Sequence, residues 1–93
     1  MVNTGTNDPF WIFLTVARVG TLDMAAKELD MSTTSVMNYI NKLENTIDVK
    51  LFERNTRGMT LTDAGRCFRN YAEEIVTMTQ LAVERVQNMQ EAE

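Results

Sequence analysis

Amide and hydroxyl side chains between positions 33 and 45 are the groups in this sequence with the clearest chemical potential. The apolar residues of the segment recur every three or four positions, as on the buried side of a helix: Val36, Ile40, Leu43 and Ile47. At about 100° per residue, the opposite side of that helix carries Thr34, Asn38, Asn41 and Asn45. Exposed helix positions usually hold Glu, Lys or Arg, which have a higher helix propensity. The amides therefore indicate a role other than helix stability.

These side-chain types match the hydrogen-bonding groups on the edges of DNA base pairs. An asparagine amide can bond two major-groove atoms of adenine, and the methyl groups of threonine and methionine can contact the thymine methyl. The residues predicted to contact base edges are Thr33, Thr34, Met37, Asn38 and Asn41. The competing interpretation is a solvated polar surface that binds nothing, which the flanking pattern disfavours.

Basic and hydroxyl side chains on either side of this segment could bind the DNA backbone. Arg54 and Arg57 lie at a short polar turn, where guanidinium groups can bind phosphates or enter a minor groove. The residues predicted to contact DNA phosphates, or to contact DNA from this wing turn, are Thr21, Ser32, Lys42, Arg54 and Arg57. The alternative for the two arginines is an ion pair with a neighbouring acid such as Glu53.

Capping residues divide the first half of the chain into three predicted helices. Asp8 followed by proline is typical of a helix start, and Gly20 is placed to end a helix spanning Phe10–Val19. Its predicted inward face is Phe10, Phe13, Leu14 and Ala17. Thr21 can cap a short second helix with Leu22, Ala25, Ala26 and Leu29 inward, and Ser32 can cap the third. Two helices joined by a tight turn form a helix-turn-helix.

The second half of the chain predicts a hairpin and one long helix. Apolar residues around Leu51 and Met59 flank the polar turn at positions 55–58, which is the pattern of a small two-stranded wing. Thr62 and Asp63 can cap a helix that reaches about Met89, although the early glycine at position 65 is unfavourable there. The predicted fold is mainly α: a winged helix-turn-helix of three helices plus a two-stranded wing, followed by a long C-terminal dimerisation (linker) helix. The predicted division is a flexible segment 1–7, a DNA-binding domain 8–62 and a linker helix 63–93.

A heptad pattern runs along the last predicted helix. Its members are Phe68, Ala72, Ile75, Thr79, Ala82, Val86 and Met89. The C-terminal half of this stripe extends beyond anything so small a domain could cover, so a second copy of the chain is the predicted partner. We predict a homodimer through this helix and leave a higher oligomer open for a longer protein.

Composition excludes several classes of function. The 93 residues suffice for one domain, and with no histidine and one cysteine, Cys67, the chain lacks the means for zinc clusters, His-based triads or an internal disulfide. We therefore expect no metal and no cofactor. No apolar run approaches the roughly 20 residues that span a bilayer, so we expect a cytoplasmic, nucleoid-associated protein without a membrane partner.

The net charge of −4 at first argues against a nucleic-acid partner. The acids are concentrated at one end, however: residues 71–93 hold five acidic and one basic side chain, whereas residues 17–70 hold eight basic and seven acidic ones. A few well-placed Arg and Lys can still make a phosphate-facing patch on such a domain.

Several of these motifs resemble the N-terminal domain of LysR-type transcriptional regulators. The shared runs are Gly20-Thr21, Ala25-Ala26 with Leu29, Leu43-Glu44, Leu51-Phe52-Glu53-Arg54 and Leu61-Thr62-Asp63-Ala64-Gly65. Their spacing agrees from Phe10 to about Val76 without a gap. The resemblance implies a sequence-specific DNA-binding regulator whose two chains pair through antiparallel linker helices and bind an operator of two half-sites. It also implies that Glu44 is a structural cap or ion-pair partner rather than a DNA contact.

The predicted reading helix departs from the family pattern. The family has Ser-Gln-Pro-Ala, a hydrophobic residue and Ser, whereas this chain has Ser32-Thr33-Thr34-Ser35-Val36-Met37. Because the departures lie on the DNA-facing side, no operator sequence is carried over from the family. The effector-binding domain of the family has no counterpart in these residues, which fits either a part of a longer protein or a stand-alone domain.

Two other classes of function stay open. A dimerising protein-interaction module, or an anti-regulator without operator binding, would use the last helix alone. An enzyme is disfavoured because the sequence has no histidine, no glycine-rich phosphate loop and no nucleophile motif.

Overall fold

The computed structural model describes residues 8–91 and confirms the predicted winged helix-turn-helix. Its elements in chain order are α1 (Pro9–Val19), α2 (Leu22–Leu29), α3 (Thr33–Ile47), β1 (Phe52–Asn55), β2 (Gly58–Leu61) and α4 (Asp63–Glu91). The strands form an antiparallel hairpin, the wing, in which Phe52 pairs with Leu61 and Asn55 with Gly58. The predicted flexible segment 1–7 lies outside the described residues. In the described part of the chain, no helix combines the length and apolar character needed to cross a membrane.

The first three helices begin at the predicted capping residues. Asp8 Oδ1 accepts a hydrogen bond from the Phe10 amide at 2.9 Å, and Thr21 Oγ1 accepts one from the Met24 amide at 3.2 Å. Ser32 Oγ accepts from the Ser35 amide at 3.0 Å. Each oxygen satisfies one of the amides that a helix start leaves unpaired. Gly20 ends α1 with a left-handed φ of 85°.

α1 lies at the centre of the core and contacts α2, α3, α4 and β2. The Phe13 ring is fully buried and contacts the rings of Phe52 and Phe68, with centroids 5.3 and 5.1 Å apart. The predicted inward face of α1 packs in or against the core, but it is incomplete. Ile12 and Val16 are fully buried, whereas three of the four predicted residues are only half-buried: Phe10, Leu14 and Ala17. Neighbours on several sides bury more of the helix than the single stripe that periodicity predicts.

The buried side of α3 also differs from the predicted stripe. Val36 and Ile40 are buried, but Ile47 in the last turn is 36% exposed, and the buried residue near that end is Glu44. Glu44 Oε2 accepts hydrogen bonds from the Leu51 amide at 2.7 Å and the Phe52 amide at 3.1 Å. The carboxylate therefore joins the end of α3 to the start of the wing.

Two glycines allow close backbone contacts that fix the wing. Gly58 has a φ of 133°, and a Cβ there would lie 2.3 Å from the Gly20 carbonyl oxygen, which accepts the Met59 amide at 2.8 Å. A Cβ at Gly65 would lie 2.1 Å from the carbonyl oxygen of Leu51. The glycine that is unfavourable for helix propensity is thus required where α4 crosses the chain entering β1.

Asp48 ends α3 in the left-handed region, with a φ of 59°. Its side chain is exposed and adds a negative charge at the negative end of the helix dipole. We expect Asp48→Gly to raise the free energy of unfolding by about 1 kcal/mol, because glycine adopts this conformation without a Cβ penalty and carries no charge. Urea unfolding measures the change. Asp48→Asn, which removes the charge and keeps a side chain, should recover only part of it, and a glycine variant less stable than the parent would refute the strain argument.

Candidate nucleic-acid interface

The polar side of α3 faces solvent, as the sequence pattern predicts. Thr33, Thr34, Asn38 and Asn41 are exposed, and none of their side chains forms a hydrogen bond or ion pair with another described residue. The amide donors and acceptors of both asparagines are therefore free to bind a ligand. From position 31 to position 43 the chain has no acidic residue, so nothing on this part of α3 repels a polyanion.

Met37 lies at the border of this surface rather than at its centre. It is half-buried and packs against the core, and it lines a groove between α3 and the wing together with Asn41 and Arg54. The groove places one of the predicted base-contacting amides beside a wing arginine. Lys50 lines the same groove, and its Nζ lies 3.6 Å from Glu44 Oε1.

Lys50, which the sequence places between the reading helix and the wing, is a further candidate phosphate contact. Its side chain is 77% exposed, so it can reach a ligand in the groove while staying near the Glu44 carboxylate.

The wing arginines are exposed and form no ion pair with any described residue, so the alternative pairing of Arg54 with Glu53 is absent. Arg54, Arg57 and Thr21 line one cleft, between the hairpin turn and the start of α2. The turn is held by the Arg57 amide, which donates to Asn55 Oδ1 at 2.8 Å. Two guanidinium groups next to a helix N-terminus attract an anion such as phosphate, and they outnumber the one carboxylate that lines the cleft, Asp23.

The remaining hydroxyl and basic candidates differ in exposure and in their hydrogen bonds within the chain. Thr21 Oγ1 is half-buried and caps α2, although its proton stays free to donate. Ser32 Oγ caps α3 and also donates to Ser35 Oγ at 2.9 Å, so its hydroxyl is engaged within the chain in both ways. Lys42 is exposed on the side of α3 opposite Met37.

The predicted heptad stripe of α4 divides into two parts. Phe68 and Ala72 belong to the core of the same chain, where Phe68 packs on two phenylalanines of α1. The other five members are exposed: Ile75, Thr79, Ala82, Val86 and Met89.

The exposed apolar side of α4 is wider than the predicted stripe. Tyr71 and Met78 both lie on one side of Ile75 on the helical wheel, about 40° and 60° away from it, and Met78 is 66% exposed. We call the exposed set on this side the α4 face: Tyr71, Ile75, Met78, Ala82, Val86 and Met89. The spacing of four and three residues from Tyr71 through Ile75 and Met78 was the signal that the predicted stripe left out.

No group of three or more His, Cys, Asp or Glu side chains that could hold a metal ion occurs within residues 8–91. Two exposed acidic side chains lie beside the wing arginines and the α3 amides, Asp23 in the cleft with Arg57 and Glu53 in the groove with Asn41, but neither forms an ion pair with a wing arginine. The chemistry of this side is therefore hydrogen bonding by amides beside unpaired guanidinium groups.

Comparison of the sequence with known proteins identifies related regulators. The sequence profile of the family described as "Bacterial regulatory helix-turn-helix protein, lysR family" matches residues 10–66. The HTH-type transcriptional regulator GltR of Bacillus subtilis is 43% identical over 65 residues, which are 70% of this chain and 22% of GltR. The probable HTH-type transcriptional regulator SinR of Salmonella typhimurium is 36% identical over 86 residues, which are 92% of this chain and 27% of SinR. The chain thus spans about a quarter of the length of these relatives.

Solved structures share the fold. The CbnR_DBD in a crystal structure of the CbnR_DBD–DNA complex superposes with a TM-score of 0.84 at 31% identity, covering 87% of this chain and 93% of that one. CbnR itself, described as a LysR family transcriptional regulator, superposes with a TM-score of 0.82 at 32% identity, covering 85% of this chain and 27% of that one. The likeness extends beyond the helix-turn-helix, since so large a share of this chain must include part of α4.

Proposed function

The chain belongs to the LysR family of bacterial helix-turn-helix regulators as a DNA-binding domain, and we propose that it binds an operator of two half-sites as a homodimer. In each half-site α3 would lie in the major groove and contact base edges through Thr33, Thr34, Met37, Asn38 and Asn41. No catalytic step and no cofactor enter this proposal. Because bacterial DNA lies in the cytoplasm, the domain would act there, at the nucleoid.

The observation that carries the proposal is the free, exposed amide pair on α3. Asn38 and Asn41 are one helical turn apart, both face solvent, and neither is engaged by another described residue. Burying such amides against DNA costs little if each finds a partner, and base edges in the major groove supply donors and acceptors at fixed positions.

The wing supports the proposal by supplying charge next to this surface. Arg54 connects the two regions, since it lines the groove beside Asn41 and the cleft beside Arg57. Together with Thr21, Lys42 and Lys50, these arginines would bind phosphates on both sides of the reading helix. Ser32 would join them by exchanging the bond that it donates to Ser35 Oγ for one to a phosphate. Such contacts fix the register of the protein on DNA but carry no sequence information.

The α4 face supports the dimer. Ile75 and Met78 are 41% and 66% exposed although they belong to one apolar side of a long helix. A second copy of the same helix offers a complementary apolar surface, and isologous pairing of this kind closes after two chains. Dimeric helix-turn-helix proteins place their reading helices about 34 Å, or one turn of DNA, apart or at multiples of that distance.

Two single substitutions separate the proposed base contacts from the proposed phosphate contacts. Asn41→Ala should weaken binding to a selected site by about 1–3 kcal/mol and leave binding to random duplex DNA unchanged. Arg57→Ala should instead weaken binding to both duplexes and reduce the slope of log K against log salt by about one unit per dimer half. Fluorescence anisotropy over a series of salt concentrations, on a site selected from a random pool, measures both effects.

Each variant is the control for the other. Equal losses for Asn41→Ala on the selected and the random duplex would remove the base-contact assignment, and an unchanged salt slope for Arg57→Ala would remove the phosphate assignment. A third outcome is that the parent chain and both variants bind selected and random DNA equally well, while the chain dimerises tightly. That outcome would favour the other candidate function, a dimerising interaction module without an operator, which would use the exposed α4 face.

A further inference from the structure

The reading residues of α3, at positions 33–41, offer hydrogen-bond donors and acceptors but no cation. We propose that the major-groove positions contacted by α3 are A·T pairs, read at adenine by Asn38 and Asn41, and that α3 reads no guanine. The inference rests on the proposed function and specifies the bases that this surface recognises.

Guanine and adenine differ in what they require of a reading side chain. The major-groove edge of guanine presents two acceptors, N7 and O6, and its usual partner is the doubly donating Arg or Lys. Adenine presents the N7 acceptor beside the N6 donor, which an asparagine amide matches with one donor and one acceptor. Against guanine, the amide oxygen of the same asparagine would face an acceptor and stay unpaired.

The exposed surface of α3 carries asparagine amides, which match adenine, and lacks the Arg or Lys that usually binds guanine. Residues 33–41 contain no Arg and no Lys, and the first cation of the helix, Lys42, lies one turn beyond Asn38, further from the N-terminal end with which a reading helix contacts bases. Lys50 lines the groove but belongs to the segment between α3 and β1, not to α3. Arg54 and Arg57 project from the wing, not from the helix. Amides are therefore the polar readers that α3 itself offers.

The placement of the amides sets the spacing of the adenines. Asn38 and Asn41 are three positions apart, so their Cβ atoms lie about 5–6 Å from each other. Successive base pairs are about 3.4 Å apart along the duplex. The two amides thus reach neighbouring pairs or pairs one step further apart, rather than the same pair.

A methyl-bearing side chain precedes each amide by one turn. Thr34 is exposed one turn before Asn38, and Met37 lies one turn before Asn41 at the edge of the groove. The methyl groups of threonine and methionine are suited to contact the thymine methyl, which marks the other base of an A·T pair in the major groove. Amides and methyl groups therefore favour the same base pair.

Base analogues test this inference atom by atom. A site selected from a random duplex pool is synthesised with single replacements of adenine by 7-deazaadenine, in which a C–H group replaces the N7 acceptor and Watson–Crick pairing is kept. A parallel series replaces each guanine by 7-deazaguanine. We expect 7-deazaadenine at two positions, adjacent or one step apart, to weaken binding by roughly tenfold each, which is within the range for loss of part of a two-bond contact.

Variants assign each sensitive adenine to its side chain. In Asn38→Ala one of the two positions should lose its sensitivity to 7-deazaadenine, and in Asn41→Ala the other should. Asn88→Ala is the matched control, because this exposed asparagine lies far along α4 and should leave both sensitivities intact.

The outcomes distinguish this inference from the function on which it rests. Sensitivity to 7-deazaguanine that disappears in the Asn38 or Asn41 variant would overturn the inference while leaving operator binding in place. Adenine sensitivity that persists in both variants would overturn it as well. A chain that selects no preferred site from the pool would overturn the proposed function itself.

Discussion

Glu44→Ala is expected to lower the free energy of unfolding by about 3 kcal/mol, one of the largest effects of any polar substitution in this chain. Glu44 is 5% exposed, and one of its oxygens accepts both the Leu51 and the Phe52 amide. Without the carboxylate, two buried amides at the entry to the wing have no partner, and a buried unsatisfied donor costs about 1–3 kcal/mol. Urea unfolding at a fixed protein concentration measures the loss, because a dimer makes stability depend on concentration.

Two further variants identify the source of that effect. Lys50→Ala should cost less than about 1 kcal/mol, since the lysine is largely exposed and stands 3.6 Å from the carboxylate. Glu44→Gln keeps an acceptor of the same shape, and its loss of unfolding free energy should lie between those of Lys50→Ala and Glu44→Ala. If Lys50→Ala were as damaging as Glu44→Ala, the ion pair and not the capped amides would hold the wing on α3.

Charge introduced on the α4 face is expected to separate the dimer and, with it, most of the operator affinity. Ile75 and Ala82 are exposed and one heptad apart on this face, so Ile75→Glu with Ala82→Glu places four like charges in the proposed interface. Joining two half-site contacts in one molecule raises the overall affinity by about 10²–10⁴-fold, and the double variant should lose an amount of this order. Sedimentation gives the oligomeric state, and anisotropy gives the affinity for duplexes with one and two half-sites.

A second double variant controls for the added charge. Thr77→Glu with Gln87→Glu adds the same charge at exposed positions on the other side of α4. It should remain dimeric, with a modest loss of DNA affinity through repulsion of phosphate. Binding of a single half-site should be similar in the two double variants. If the Ile75 and Ala82 variant stayed dimeric, the interface would lie elsewhere.

The helix starts were predictable because their signals are local. Asp8, Thr21 and Ser32 each cap a helix through an amide two or three residues away, so residue type and spacing suffice. The wing was predictable for the same reason, since its polar turn lies between two apolar runs.

The errors arose where contacts join distant parts of the chain. Gly65 is needed because of the Leu51 carbonyl oxygen, which no helix propensity takes into account. Ile47 is exposed and Glu44 buried because the chain entering β1 has two amides that require an acceptor. Periodicity describes each helix by itself, and such contacts depend on what packs against it.

The candidate interface was likewise predictable where its features are local and unpredictable where they depend on packing. The residue types of the exposed α3 surface could be identified from a helical wheel, including the free amides of Asn38 and Asn41. The wheel could not show that Met37 is shared with the core, that Ser32 is engaged twice within the chain, or that Lys50 lines the groove. These properties depend on how the wing and α3 meet.

Chemical-shift mapping tests most directly whether α3 and the wing form the DNA-binding surface. The isotope-labelled chain is titrated with a duplex selected from a random pool, and backbone amide shifts are followed by nuclear magnetic resonance. The largest changes are expected in two segments, Thr33–Asn41 of α3 and Asn55–Gly58 of the wing, with little change at the buried residues of α1. Changes confined to α4, with α3 and the wing unaffected at saturating DNA, would contradict the assignment.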